Sequence, residues 1–158
     1  MQSVMNKKEE LEFFEGLCRR LQEEPFEDTY PKEEDLKPYV VEVIKDYVNS
    51  LPYKDKITVW DDIQFIEKVR ALGREQCPDI SIEIEREVFA AIEIKLLRQN
   101  WGLARGIGQA IISSARYHYG IIFGKDMRTY NTEKHEFDEN IKSSLWENYR
   151  IRLIVAND

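Results

Sequence analysis

The chain has 158 residues and a mass of 18.8 kDa, with 42% hydrophobic residues, 11% aromatics, 7 Gly and 5 Pro, a balance that excludes a low-complexity or disordered polymer and fits one domain with one core. No uncharged stretch reaches the length a bilayer requires, and the N-terminal MQSVMNKKEELEF lacks the apolar segment of a signal peptide, so an intracellular, cytoplasmic and soluble protein with no membrane partner is expected. The net charge of −7 argues against a passive nucleic-acid coat. It is unevenly spread, however: residues 1–92 carry 13 Lys/Arg against 22 Asp/Glu, residues 93–128 carry 6 against 2, and residues 129–158 carry 4 against 6. A basic middle can still attract phosphates, because charges more than about 10 Å away are largely screened at ~0.1 M salt.

In chain order, Leu11, Phe14, Leu17, Cys18 and Leu21 recur at three and four over residues 7–24, the spacing of an amphipathic helix ended by Pro25. Turn-formers between Pro25 and Pro31 lead to a second helix, with Leu36, Tyr39, Val40, Val43, Ile44, Tyr47, Val48 and Leu51 as its stripe and Pro52 as its stop. Residues 57–72 are ambiguous: ITVW reads as a strand, while Asp62, Ile63, Ile66, Val69 and Gly73 suit either a second strand or a short capped helix. Residues 78–84 alternate with period two, and Glu87 to Lys95 form an apolar run, so two strands joined as an antiparallel hairpin are predicted. A helix from Leu103 to Tyr117, an apolar strand from Gly120 to Gly124 and a final strand from Tyr149 to Ala156 complete the order. The fold class is therefore α/β: a single domain over 1–158 with a mixed central sheet flanked by helices. Residues 1–52 form a helical part, 57–125 the core, and 126–158 a loop or helix with the last strand.

The hairpin carries the chemistry. With Glu85, Arg86 and Glu87 as a three-residue turn, Asp79 lies directly across from Glu93. With a two-residue turn it faces Ile92, unless a bulge intervenes. Opposed carboxylates repel and need a proton or a cation, and period two puts Lys95 on the face of Glu93. Mg²⁺ or Mn²⁺ takes such oxygen ligands, and an amine beside it suits phosphodiester hydrolysis.

Pro78-Asp79, a gap of 13 residues, then Glu93-Ile94-Lys95 at the end of an apolar strand resembles the PD-(D/E)XK nuclease signature. Residues 77–124 are similar to the core found in the branch around type I restriction motor subunits, where a Gln-bearing helix and an apolar strand ending in glycine follow the lysine strand. The resemblance covers roughly residues 75–125. It implies a restriction-endonuclease-like fold, metal held by Asp79, Glu93 and the carbonyl of Ile94, Lys95 serving the water, and Gln109 orienting the site or the DNA. Members with a Gln-x-x-x-Tyr motif have tyrosine four residues after the glutamine; here position 113 is Ser and Tyr117 follows at eight. An acid from the preceding helix is also implied, with Glu42 the candidate and Glu34 behind it.

Around this core, Arg98, Arg105, Arg116 and Tyr117 are candidates for contacts to phosphates and bases, with Trp101 beside them; the plainer reading makes Trp101 and Tyr117 core anchors. His118 and His135 lack a partner at ligand spacing. Cys18 and Cys77, 59 positions apart with no CxxC, read as unpaired thiols. The expected activity is DNA cleavage, with RNA as the alternative substrate and a homodimer as the arrangement that cuts both strands. A catalytically inactive nucleic-acid-binding or assembly module is the rival reading.

Overall fold

The computed structural model describes residues 5–27, 30–71, 73–97, 100–127 and 139–156. Arg98 and His135 lie outside the described residues, as does the side chain of Trp101.

Helix α1 (Lys7–Glu23) starts where Asn6 and Glu9 cap one another: Asn6 Oδ1 accepts from Glu9 N at 2.9 Å, and Glu9 Oε2 accepts from Asn6 N at 3.0 Å. Its buried face is Phe13, Phe14, Leu17, Cys18 and Leu21; Leu11, counted in the predicted stripe, is exposed. Helix α2 (Glu33–Asn49) starts three residues before its apolar stripe, on the acidic turn Glu33-Glu34-Asp35, where Asp35 Oδ2 accepts from Lys32 N at 3.0 Å. Carboxylates favour this end of a helix because the first N–H groups have no partner within it. Tyr39 turns outward, whereas Tyr47 donates its phenol O–H to the Phe13 carbonyl at 3.0 Å and ties α2 to α1.

The ambiguous segment resolves as strand, loop and strand: β1 (Ile57–Trp60) and β2 (Val69–Ala71), the latter paired with β3 (Arg74–Gln76). Gly73, at φ +76°, serves the turn between β2 and β3 and ends no helix. Strands β4 (Ile80–Ile84) and β5 (Glu87–Leu97) form the expected hairpin. Helix α3 (Asn100–Ser113), strand β6 (Tyr119–Asp126), helix α4 (Glu139–Tyr149) and strand β7 (Ile151–Val155) follow. The main sheet has the order β1-β4-β5-β6-β7, antiparallel at its first two contacts and parallel at β5–β6 and β6–β7. Each parallel step is bridged by a helix, as parallel pairs require.

The hairpin turn has two residues. Glu85 and Arg86 both have positive φ, +52° and +72°, the mirror-image turn that fits strand twist but normally selects Asn-Gly. The register then runs Ile84↔Glu87 and Glu83↔Val88, slips, and resumes at Ile82↔Ala90 and Ile80↔Ile92. Phe89 is the extra residue of a β-bulge. That bulge restores the offset a three-residue turn would have produced.

One sheet face packs on α1 and α2 through Ile80, Ile82, Ile92, Ile94, Ile121 and Phe123. The other carries Ile122 and Ile151 against Ala110 of α3 and Leu145 of α4, and Ala91 against Val69 and Tyr117. No described helix is long and apolar enough to cross a membrane.

Candidate metal and catalytic centre

The site arises because β5, with 11 residues, outruns β4, with 5. Along a strand, alternate residues direct their N–H and C=O groups to the same neighbour. Ile94 and Leu96 therefore point main-chain groups toward ground that β4 does not cover, and those groups need partners. Two carboxylates supply them. Asp79 Oδ2 accepts from Ile94 N at 2.8 Å, and Glu33 Oε1, from the first turn of α2, accepts from Leu96 N at 3.3 Å.

Asp79, one residue outside β4, also donates its N–H to the Ile92 carbonyl at 3.1 Å. It thus grips β5 on both sides of Glu93, and the two carboxyl groups meet. Glu93 is 1% exposed. Its pKa is pushed up to about 8, first by burial and then by the negative charge of Asp79; Lys95 and a hydrogen bond from Gln76 pull the other way. Gln76 Nε2 donates to Glu93 Oε1 at 3.1 Å, so the small β2–β3 hairpin reaches into the site. Two acids sharing a desolvated space is the electrostatic signature the register predicted, and their ionised form calls for a positive partner.

Lys95 shares the face of Glu93 and is 7% exposed. Its Nζ lies 3.9 Å from Glu33 Oε2. Gly106 of α3 allows this burial: a Cβ there would stand 3.1 Å from Lys95 Cγ and 3.6 Å from Cε, so a side chain would press on the lysine stem. Gln109, one turn further along α3, is half-buried with Oε1 shielded from solvent and without a hydrogen bond among the described residues, and Ser113 Oγ, another turn on, is in the same state. Position 113 thus holds a small buried hydroxyl.

The structure brings Asp79, Glu93, Ile94 and Lys95 together. Glu42 is elsewhere, exposed on α2 beside a cleft lined by Phe26, Tyr30, Tyr39 and Asp46, and Glu34 lines a neighbouring cleft with Pro31, Pro38 and Tyr39. The α2 acid that reaches the site is Glu33, nine residues before Glu42 and so about 13 Å away along the axis. The sequence does carry a signal for it: an acidic first turn is where a helix places carboxylates beside backbone donors. Tyr117 corrects an expectation. It is 3% exposed, packs on Val69 and Ala91, donates to the Glu67 carbonyl at 2.8 Å and lies 3.1 Å from Ser81 Oγ, which makes it a core anchor and removes it as a stacking surface. Arg116 is held by Glu67, with Nε and Nη2 at 2.7 and 2.5 Å from Oε1. Arg105 is exposed on α3, and His118 is exposed beside Phe89. Cys18 and Cys77 are free thiols; burial pushes the first up to about 12.

Among the described residues no three or more His, Cys, Asp and Glu side chains converge as a ready metal cage. What converges is two carboxylates, with Ile94 beside them on the strand edge where its N–H donates to Asp79. That hard oxygen set suits Mg²⁺ or Mn²⁺ that retains several waters, and does not suit Zn²⁺, which prefers nitrogen and sulfur. No family model, curated protein or solved structure matches the chain, so the reading of this centre rests on its own geometry.

Proposed function

We propose that the protein is a divalent-metal-dependent nuclease of restriction-endonuclease-like fold that hydrolyses phosphodiester bonds in DNA. The observation that carries this reading is the meeting of Asp79 and Glu93 where β5 outruns β4, with Lys95 on the same face. The order of hairpin, Gln109-bearing helix and parallel apolar strand supports it further. Asp79, Glu93 and the Ile94 carbonyl would hold Mg²⁺ or Mn²⁺, which when bound polarises the scissile phosphate and acidifies water. Lys95 contributes a fixed ammonium group, buried and steered by Glu33 and Gly106, that orients the attacking water and offsets charge developing on the phosphoryl oxygens. Gln109, on the helix whose Gly106 packs against Lys95, would position the site or the strand. RNA is the alternative substrate, and pairing of two copies would let both strands of a duplex be cut.

The test is cleavage of single-stranded and duplex DNA with Mg²⁺, Mn²⁺ or EDTA. Asp79→Ala, Glu93→Ala and Lys95→Ala should each lower metal-dependent cleavage by about a hundredfold or more while leaving the far-ultraviolet circular dichroism unchanged. Full activity in any one of them removes its role. A second reading, a nucleic-acid-binding module without turnover, draws on one observation: Glu93 is already engaged by Gln76. DNA binding in EDTA with no cleavage on adding either metal selects that reading.

A further inference from the structure

Trp60 ends the edge strand β1 and pairs with Ser81, so its side chain lies on the sheet face that carries Asp79 and Glu93. Asp79 is two residues before Ser81 and is therefore the diagonal cross-strand neighbour of Trp60, at about 7–8 Å. Beyond Trp60 the chain doubles back: Asp62 Oδ1 accepts from Gln64 N at 2.9 Å, and Phe65 N donates to the Asp62 carbonyl at 2.9 Å. This turn lays Phe65 on Trp60, ring centroids 4.9 Å apart and planes 24° from parallel. Phe65 is 56% exposed and Ile63 61%. The far side of the loop is anchored by buried Ile66, by the Glu67–Arg116 ion pair and by the Tyr117 phenol on the Glu67 carbonyl. A stacked aromatic pair held this firmly, with Trp60 half-buried and Phe65 left open to solvent, contributes little to the core.

Charges of both signs stand around it: Asp61 and Asp62 are exposed in the turn and Glu83 is the other diagonal neighbour of Trp60, while two lysines approach from the side of Asp79. Lys37 reaches the Asp61 carbonyl at 2.9 Å, and the positive charges of Lys68 and Lys37 are both felt at Cys77, two residues before Asp79. Of the two acidic side chains in the turn, Asp62 is directed back onto Gln64 N, whereas Asp61 is exposed.

We infer that Trp60 and Phe65 form a stacking ledge for an unpaired base of the substrate strand, whose backbone passes Lys37 and Lys68 toward the Asp79–Glu93 pair. The substrate class that follows is single-stranded or locally unpaired nucleic acid, since a base stacked inside a duplex cannot reach a ledge about one nucleotide from the carboxylates. Placement of the phosphate rests on the nuclease reading; the ledge itself does not. The occupant is a nucleic-acid strand because the aromatic pair adjoins both the acid pair and the two lysines, an arrangement an apolar protein contact would not need.

The experiment measures binding of a labelled single-stranded oligonucleotide and of the matching duplex to the intact chain in EDTA at low salt, for wild type and Phe65→Ala. Single strand should bind at least tenfold more tightly than duplex, and Phe65→Ala should weaken the single strand about tenfold, the worth of one base–aromatic stack, while leaving the duplex unaffected. Phe65→Trp should retain the preference. Unchanged single-strand affinity in Phe65→Ala, or equal loss for both substrates, overturns the ledge; dissociation of a self-associated form by Phe65→Ala with no change in nucleic-acid affinity overturns it in favour of a contact between copies. Phe65-dependent single-strand binding without cleavage in Mg²⁺ or Mn²⁺ upholds the ledge and rejects the nuclease.

Discussion

On the side of the sheet that meets α1 and α2, Ile80, Ile82, Ile92, Ile94, Ile121 and Phe123 sit among Phe13, Phe14, Leu17, Leu36 and Ile44. The opposite side of the same strands carries Ser81, Glu93 and Lys95, all buried as well, facing α3 and the β2–β3 hairpin. Burial is nearly equal on the two sides; chemistry is not. Apolar burial stabilises at roughly 25 cal/mol per Å², whereas each buried charge costs free energy unless a partner is at hand. The helical N-terminal half supplies the stability that lets the other side hold an acid pair the fold by itself would reject.

Four substitutions probe that contrast, in descending order of effect. Phe14→Ala empties a fully buried ring stacked on Tyr119 and Trp146 and should lower unfolding free energy by about 3–5 kcal/mol in a urea titration; a loss under 1 kcal/mol would mean that the N-terminal face is not the stabilising one. Glu93→Gln should do the reverse in EDTA. With a folded pKa of about 8 against 4.5 unfolded, wild type retains a proton on folding throughout that window, so its stability falls as pH rises from about 4.5 to 8, and the neutral variant escapes this loss. The variant should match wild type near pH 4.5 and exceed it by roughly 2–4 kcal/mol above pH 8, measured as paired urea titrations; a pH-independent difference would show that Glu93 is not desolvated.

Between the faces lies the turn. Replacing Glu85-Arg86 by Asn-Gly relieves two positive-φ residues without touching either face and should raise stability by about 1 kcal/mol with cleavage unchanged. Smallest in stability is Gly106→Ala, where better helix propensity, about 1 kcal/mol, offsets the close approach to Lys95. Cleavage should nevertheless drop severalfold, and a drop in substrate affinity without a change in turnover would show that the lysine is not displaced.

Much of the apolar face is legible in the sequence, because its signal is periodicity: the stripes of α1 and α2 and the alternation of β4 are local facts, and Leu11 and Tyr39 stray from them only by lying at the stripe margins. The pairing of Asp79 with Glu93 is legible too, but by way of a turn the protein does not use. A two-residue turn and the Phe89 bulge shift the register in opposite senses, and neither leaves a mark in composition, since Glu-Arg is an unusual turn pair and Phe is a common strand residue. Glu33 and Gln76 escape a motif search because they answer to needs that exist only once the chain is folded, an unpaired N–H on Leu96 and a buried carboxyl oxygen on Glu93. The segment 61–68 is illegible for the opposite reason: its order comes from Asp62, Glu67 and distant Arg116 and Tyr117, not from any repeat of its own.

The Phe89 bulge also constrains how this chain can diverge. Side chains alternate across a sheet, so losing or gaining one residue between the two acids would send one of them to the α1–α2 side unless a second change cancelled it. Descendants that keep the centre should therefore alter the 13-residue interval by an even number, or exchange the bulge for a longer turn in a single coupled event. The interval behaves as a parity code, in which a lone insertion silences the centre and an adjacent one revives it.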